Sequence, residues 1–146
     1  MRYRSRGDPL DPEEATVAGN RVVARYRNGK LVKGTTVDFL PKRDFFHVQS
    51  ASGAVTTIQH SELKAVFFVR DLVGNERHFN SNFFDAVQPA QGRKIRVVFA
   101  DGEVLVGTTQ GYDPGRPGFF LIPADPACNN ERCFVIATAT RRVEPL

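Results

Sequence analysis

The sequence predicts an all-β protein in which one small five-stranded barrel is built twice, the two copies packed together. Three observations predict it: an internal repeat without gaps, period-two alternation of apolar residues, and Asn-Gly or Asp-Gly turns at matching places. Residues 21–49 (RVVARYRNGKLVKGTTVDFLPKRDFFHVQ) align with residues 94–122 (KIRVVFADGEVLVGTTQGYDPGRPGFFLI) at an offset of 73. Gly29 matches Gly102, Gly34-Thr35-Thr36 matches Gly107-Thr108-Thr109, Pro41 matches Pro114, Arg43 matches Arg116 and Phe46 matches Phe119. A repeat of this length means one supersecondary unit used twice.

Each element follows from local chemistry. Val22, Ala24 and Tyr26 fall on one face of a first strand, and Ile95, Val97 and Phe99 do so in the second copy, the alternation of a half-buried strand. Asn28-Gly29 and Asp101-Gly102 then predict two-residue type I′ hairpins. The second strand of each copy is interrupted by Gly34 or Gly107, which weakens a strand unless it bends or a backbone comes close. A bend shared by both copies would curl each sheet into a barrel. Third strands are expected at 45–50 and 119–122, fourth strands at 55–58 and 133–137, and fifth strands at 64–69 and 141–143. His60 to Leu63 reads as one tight turn. Phe67 and Phe68 are neighbours on a strand, so one is expected to point inward and the other outward.

The domain organisation is then a flexible tail over 1–19 with at most one helical turn at Pro12 to Ala15, a barrel over 20–71, a connector over 72–92, and a second barrel over 93–146. The connector holds Phe79, Phe83 and Phe84. Burying each ring is worth about 1.5–3 kcal/mol, so these rings are expected to pack at the seam between barrels.

Composition excludes several functions. The longest apolar run, Ala65-Val66-Phe67-Phe68-Val69, is far too short to span a bilayer, and the start MRYRSRGDPLDPEE lacks the apolar core of a secretory signal. A cytoplasmic location without membrane attachment is expected. Cys128 and Cys133 flank a short loop, with no second Cys pair and with His47, His60 and His78 scattered, which argues against zinc. They read as two thiols at the ends of a hairpin loop, able to join in a disulfide under oxidising conditions. No nucleophile and base are brought together by a known motif, and no phosphate loop precedes a helix, so neither an enzyme nor a cofactor is expected.

The net charge of +4 is unevenly spread. Residues 21–70 hold nine Lys/Arg and three Asp/Glu, a balance of +6, whereas residues 93–146 hold seven and six, a balance of +1. Arg25, Arg27, Lys30 and Lys33 flank the first hairpin, and Lys42-Arg43 lies on the loop that follows. Clustered cations of this kind suit phosphates or an acidic protein face. Arg43 and Arg116 recur at one loop position and read either as loop arginines that tie down local carbonyls or as a paired contact for an acidic partner. Arg2/Arg6 and Arg21/Arg25 have the Arg-x-x-x-Arg spacing of PilZ-type cyclic-dinucleotide receptors, but the second motif of that family is absent.

The segment from Asp101 through Gly107-Thr108-Thr109 to Tyr112-Asp113 resembles the first signature of Sm proteins, and the strand order resembles the SH3-like barrel more broadly. Leu40 stands where Asp113 stands in the other copy, and the Asn of the Sm RNA-binding loop and the basic-Gly pair of the second signature are missing. Residues 20–146 as a whole resemble a family of uncharacterised bacterial proteins, through phrases such as Lys64-Ala65-Val66-Phe67-Phe68-Val69-Arg70-Asp71 and residues 111–121. The resemblance implies tandem SH3-like/Sm-like barrels, a bacterial source and a regulatory setting. The expected function is a non-catalytic adaptor or regulatory module that binds a protein partner, an acidic one among the candidates. The alternative is an RNA- or DNA-binding module using the basic first barrel. Duplicated barrels imitate a dimer within one chain, so a monomer is expected.

Overall fold

The computed structural model describes residues 19–70, 72, 92–124 and 130–146. The tail, the rings of Phe79, Phe83 and Phe84, the residues Arg2 and Arg6, and Cys128 lie outside the described residues.

Ten strands follow one another: β1 (Asn20–Tyr26), β2 (Leu31–Thr36), β3 (Phe45–Gln49), β4 (Val55–Gln59), β5 (Leu63–Val69), β6 (Arg93–Phe99), β7 (Val104–Thr109), β8 (Gly118–Pro123), β9 (Asn130–Ile136) and β10 (Thr140–Pro145). Short 3-10 turns at His60–Glu62 and Ala137–Ala139 lead into β5 and β10. The first three strands of each half keep the 73-residue offset, whereas β5 and β10 begin 77 apart (140 minus 63), so the hairpin of third and fourth strands is four residues longer in the second half, through longer strands and one more loop residue.

The strands form one open antiparallel sheet in the order β10-β6-β7-β8-β9-β5-β1-β2-β3-β4. The sequence suggested two closed barrels; the sheet does not close, because β9 occupies the outer edge of β5. Within each half the order is fifth-first-second-third-fourth, and corresponding registers agree: Val22 pairs with Gly34 as Ile95 pairs with Gly107.

The expected inward residues are buried at Val22, Ala24, Ile95, Val97 and Phe99, while Tyr26 is half-buried. The two hairpins depart from the expected turn. Tyr26 N–H donates to Lys30 O, Gly29 N–H donates to Tyr26 O, and Phe99, Glu103 and Gly102 repeat both bonds. The loops are therefore three residues long, with Gly29 at φ 91° and Gly102 at φ 93° in the left-handed region. Asn28 and Asp101 decide this geometry: each side-chain oxygen accepts from the amide two residues on, Lys30 or Glu103, at 2.9 Å.

Gly34 and Gly107 are needed because a backbone passes close by. A Cβ on Gly34 would lie 2.2 Å from Gln49 O, and one on Gly107 would lie 2.2 Å from Ile122 O. The third strand thus crosses directly over the second in both halves.

Phe67 and Phe68 are both buried: Phe67 lies by Arg25, and Phe68 by Phe39 and Arg132. All seven residues of β5 are buried because the strand lies mid-sheet between β1 and β9, with the other half against it. Phe68 joins Phe39, Phe46, Phe120 and Phe134 in an aromatic cluster drawn from both halves. Phe39 sits 5.1 Å from Phe46, 5.3 Å from Phe68 and 5.3 Å from Phe134, edge to face. Arg132 covers it, with its guanidinium 4.4 Å from the Phe68 ring and 5.0 Å from Phe120. Cys133 is a free thiol in the middle of β9, and burial holds its pKa far above the ordinary range.

Candidate functional site: a cationic cleft between the halves

The loops joining second to third strands, 37–44 and 110–117, form equivalent turns. Arg43 N–H donates to Leu40 O at 3.1 Å, and Arg116 N–H donates to Asp113 O at 3.0 Å. Pro41 and Pro114 stiffen the two turns by fixing φ. Between these loops opens a cleft of about 560 Å³, within the size range of small-ligand and peptide pockets. Lys42 contributes from the first loop, Arg116 and Gln110 from the second, with Phe120 and Phe134 at the base. Gly111 and Gly118 carry no side chains to obstruct it.

The site can pair an anion with two cations while holding an apolar group against aromatic carbon. Arg116 is mostly exposed and keeps only a loose contact with Asp113, 3.8 Å away, so its planar fork can still take a carboxylate. Lys42 is exposed and has no described partner.

A second cavity of about 380 Å³ shares Pro117 with the first and is lined by Asp44, Gln59, His60, Ser61, Ile136 and Thr138. His60 is 8% exposed, among Phe39, Phe46 and Phe134. Its Nε2 is buried without a partner among the described residues. Burial lowers its pKa, partly offset by Asp44, which favours the neutral ring.

The predicted cations divide into three groups. Arg25 and Arg27 are engaged within the molecule. Arg25 binds Glu103 at 3.1 Å and lies 5.4 Å from the Phe67 ring, while Arg27 reaches Leu63 O at 3.4 Å and the Thr138 hydroxyl. Lys30 and Lys33 stay on the first hairpin; Lys33 Nζ donates to Leu72 O at 3.4 Å and Lys30 stands 5.5 Å from the Tyr26 ring. Lys42, Arg43 and Arg116 belong to the loops, but the cleft brings Lys42, not Arg43, to Arg116. Arg43 instead lies 4.8 Å over Phe45, the outward ring of its strand, while Phe46 fills the core.

Lys64, Asp101 and Glu103 form a charged cluster that clustered cations in the sequence do not point to. Lys64 is 4% exposed, and its ammonium donates to Asp101 at 2.7 Å and to Glu103, over the Phe99 ring at 4.7 Å. The bonds from Lys64 hold the Asp101 carboxyl below its usual range. Burial pushes Glu103 upward, but bonds from Lys64 and Arg25 outweigh it and its pKa is lowered. Lys64 within an apolar strand was the available signal, since a lysine there needs a carboxylate. Asp38 similarly accepts from His47 at 2.9 Å through the amide and 2.6 Å through Nδ1. Its partial burial opposes ionisation, yet bonds from His47 and Thr36 lower its pKa.

Among the described residues, no hydroxyl or thiol hydrogen-bonds the His47 ring and no cluster of three His, Cys, Asp or Glu side chains is placed to hold a metal ion. No described helix is long and apolar enough to cross a membrane. The fold and cleft define an all-β protein built on one open ten-stranded antiparallel sheet. A model of the family of unknown function DUF6982 matches residues 18–146, and the chain belongs to that family. No curated protein and no solved structure matches the chain.

Proposed function

We propose that the chain is a non-catalytic protein-interaction module, an adaptor or regulatory protein of the bacterial cytoplasm. Its two halves are SH3-like/Sm-like units sharing one sheet, and it works as a monomer. The ligand is an acidic segment of a partner protein, held in the cleft with carboxylates on Lys42 and Arg116 and an apolar side chain against Phe120. The observation that carries this reading is the meeting of Lys42 and Arg116, one from each half, at one opening. The matching strand order of the halves supports the description as two SH3-like units.

Binding of RNA or DNA through the first half is the competing reading. The engagement of Arg25 and Arg27 within the molecule weighs against it, because fewer cations remain for phosphates.

Fluorescence anisotropy with a labelled peptide of alternating Glu and Phe tests the proposal. Saturable binding at physiological salt, lost in Lys42→Glu/Arg116→Glu, is the expected result. A mixed RNA or DNA oligonucleotide that binds instead, with steep salt dependence and loss on reversing Lys30, Lys33, Lys42 and Arg43, would move the function to nucleic acid.

A further inference from the structure

Each half offers one fourth-strand edge and one fifth-strand edge, so two junctions of the same kind are conceivable. One is made: β9 pairs with β5, Ala65 opposite Val135 and Phe67 opposite Cys133. The hairpin tip of the second half reinforces it, because Asp101 and Glu103 meet Lys64 and Arg25.

Among the described residues, the corresponding edge of the first half, β4, ends the sheet. Open edges are usually shielded by charge, proline or a bulge. β4 reads Val55-Thr56-Thr57-Ile58-Gln59, without charge or proline, and pairs with β3 without a register shift. Val55 is 61% exposed, and Thr56, Thr57 and Gln59 are exposed too. The opposite end is shielded: β10 carries Arg141, Arg142, Glu144 and Pro145, and its register with β6 shifts between Thr140 and Arg142. An edge left competent beside one that is blocked is suited to strand addition.

The made junction shows what β4 would accept. At the tip of the first hairpin, Asn28 and Lys30 stand where Asp101 and Glu103 stand in the second. A strand laid on β4 as β5 lies on β9 would bring its counterpart of Lys64 to Lys30. A cation is repelled there and a carboxylate attracted. Tyr26, in the place of Phe99, adds a phenol that can donate to the carboxylate. A second copy is disfavoured, since β10 would bring Arg141 against Lys30.

We infer that β4 is a docking edge for an extended segment of a different protein. That segment adds antiparallel to the sheet and is apolar except for an Asp or Glu opposite Gln59. The edge shares no residue with the cleft at Lys42 and Arg116, so either site can fail alone.

Two labelled peptides test this, both copied from residues 62–70: one with the native sequence and one with Lys64→Glu. Titrated against the full chain, the Lys64→Glu peptide should bind about tenfold more tightly than the native peptide. The exposed Lys30→Glu substitution in the chain should reverse that preference. Added amide-exchange protection at residues 55–59 should locate the complex, and Lys42→Glu/Arg116→Glu should leave it intact. Failure of both peptides to bind, or a preference indifferent to Lys30→Glu, overturns the inference. So does a sedimentation mass of twice 16.3 kDa that Lys30→Glu alters, because the occupant would then be a second copy.

Discussion

β5 and β10 hold the same place in the two halves but live in different surroundings. In β5, Leu63-Lys64-Ala65-Val66-Phe67-Phe68-Val69, every residue is buried. In β10, Thr140-Arg141-Arg142-Val143-Glu144-Pro145, none is. The difference lies in the neighbour: among the described residues β5 has a strand on each side, while β10 has β6 alone. The fourth strands diverge in the same way, with Cys133-Phe134-Val135 in β9 where β4 has Thr56-Thr57-Ile58. The two copies thus share a backbone plan, and their sequences separated according to which edge became an interior. Terminal units with polar outer faces serve the same purpose in other repeat architectures.

The strongest way to break this comparison is to truncate the interior edge. Phe134→Ala should cost about 3–5 kcal/mol in chemical denaturation, because Phe134 is 2% exposed and packs on Phe39 and Phe120. The matching change at the open edge, Thr57→Ala, should stay within about 0.5 kcal/mol. Equal losses would mean that the two edges do not differ in kind.

Gly107→Ala and Gly34→Ala test what the halves share. Each adds a Cβ 2.2 Å from a carbonyl oxygen, so each should lose about 1–3 kcal/mol. A loss in only one would show that the strand crossing is structural in that half alone.

Acid should act on the stability of the fold in two stages. The folded pKa of His60 is depressed, so the unfolded chain binds its proton first, and stability should decline as pH falls below about 6.5. His60→Phe should flatten that stage in a series of thermal melts. The carboxyls of Asp38, Asp101 and Glu103 are also lowered, so their contribution is full above the unfolded carboxylate range and is lost below about pH 4. Glu103→Gln should make this second decline shallower.

The smallest expected effect is at β10. Arg141→Glu supplies the carboxylate that Lys30 lacks in a second copy, and weak concentration-dependent association should appear in sedimentation. A sedimentation mass that Arg141→Glu leaves unchanged at high concentration would show that Arg142, Glu144 and Pro145 block the edge without Arg141.

Local chemistry carried most of the fold. Alternation along Val22-Ala24 and Ile95-Val97 placed the strands within a few residues, since that signal arises from neighbours in the chain. Turn type was less legible, because Asn28-Gly29 suits both a two-residue and a three-residue loop. Of the site, the sequence singled out Lys42, Arg43 and Arg116 by charge and repetition, but not which of them meet.

The sequence by itself determined that the chain is all β, repeated, and basic in its first half, because period, turn residues and charge are local properties. Only the tertiary structure decided that β9 takes the edge of β5. That contact is long-range, and it made one sheet of ten strands, buried both Phe67 and Phe68, drew Arg25 inward to Glu103 and placed Lys42 and Arg116 on one cleft.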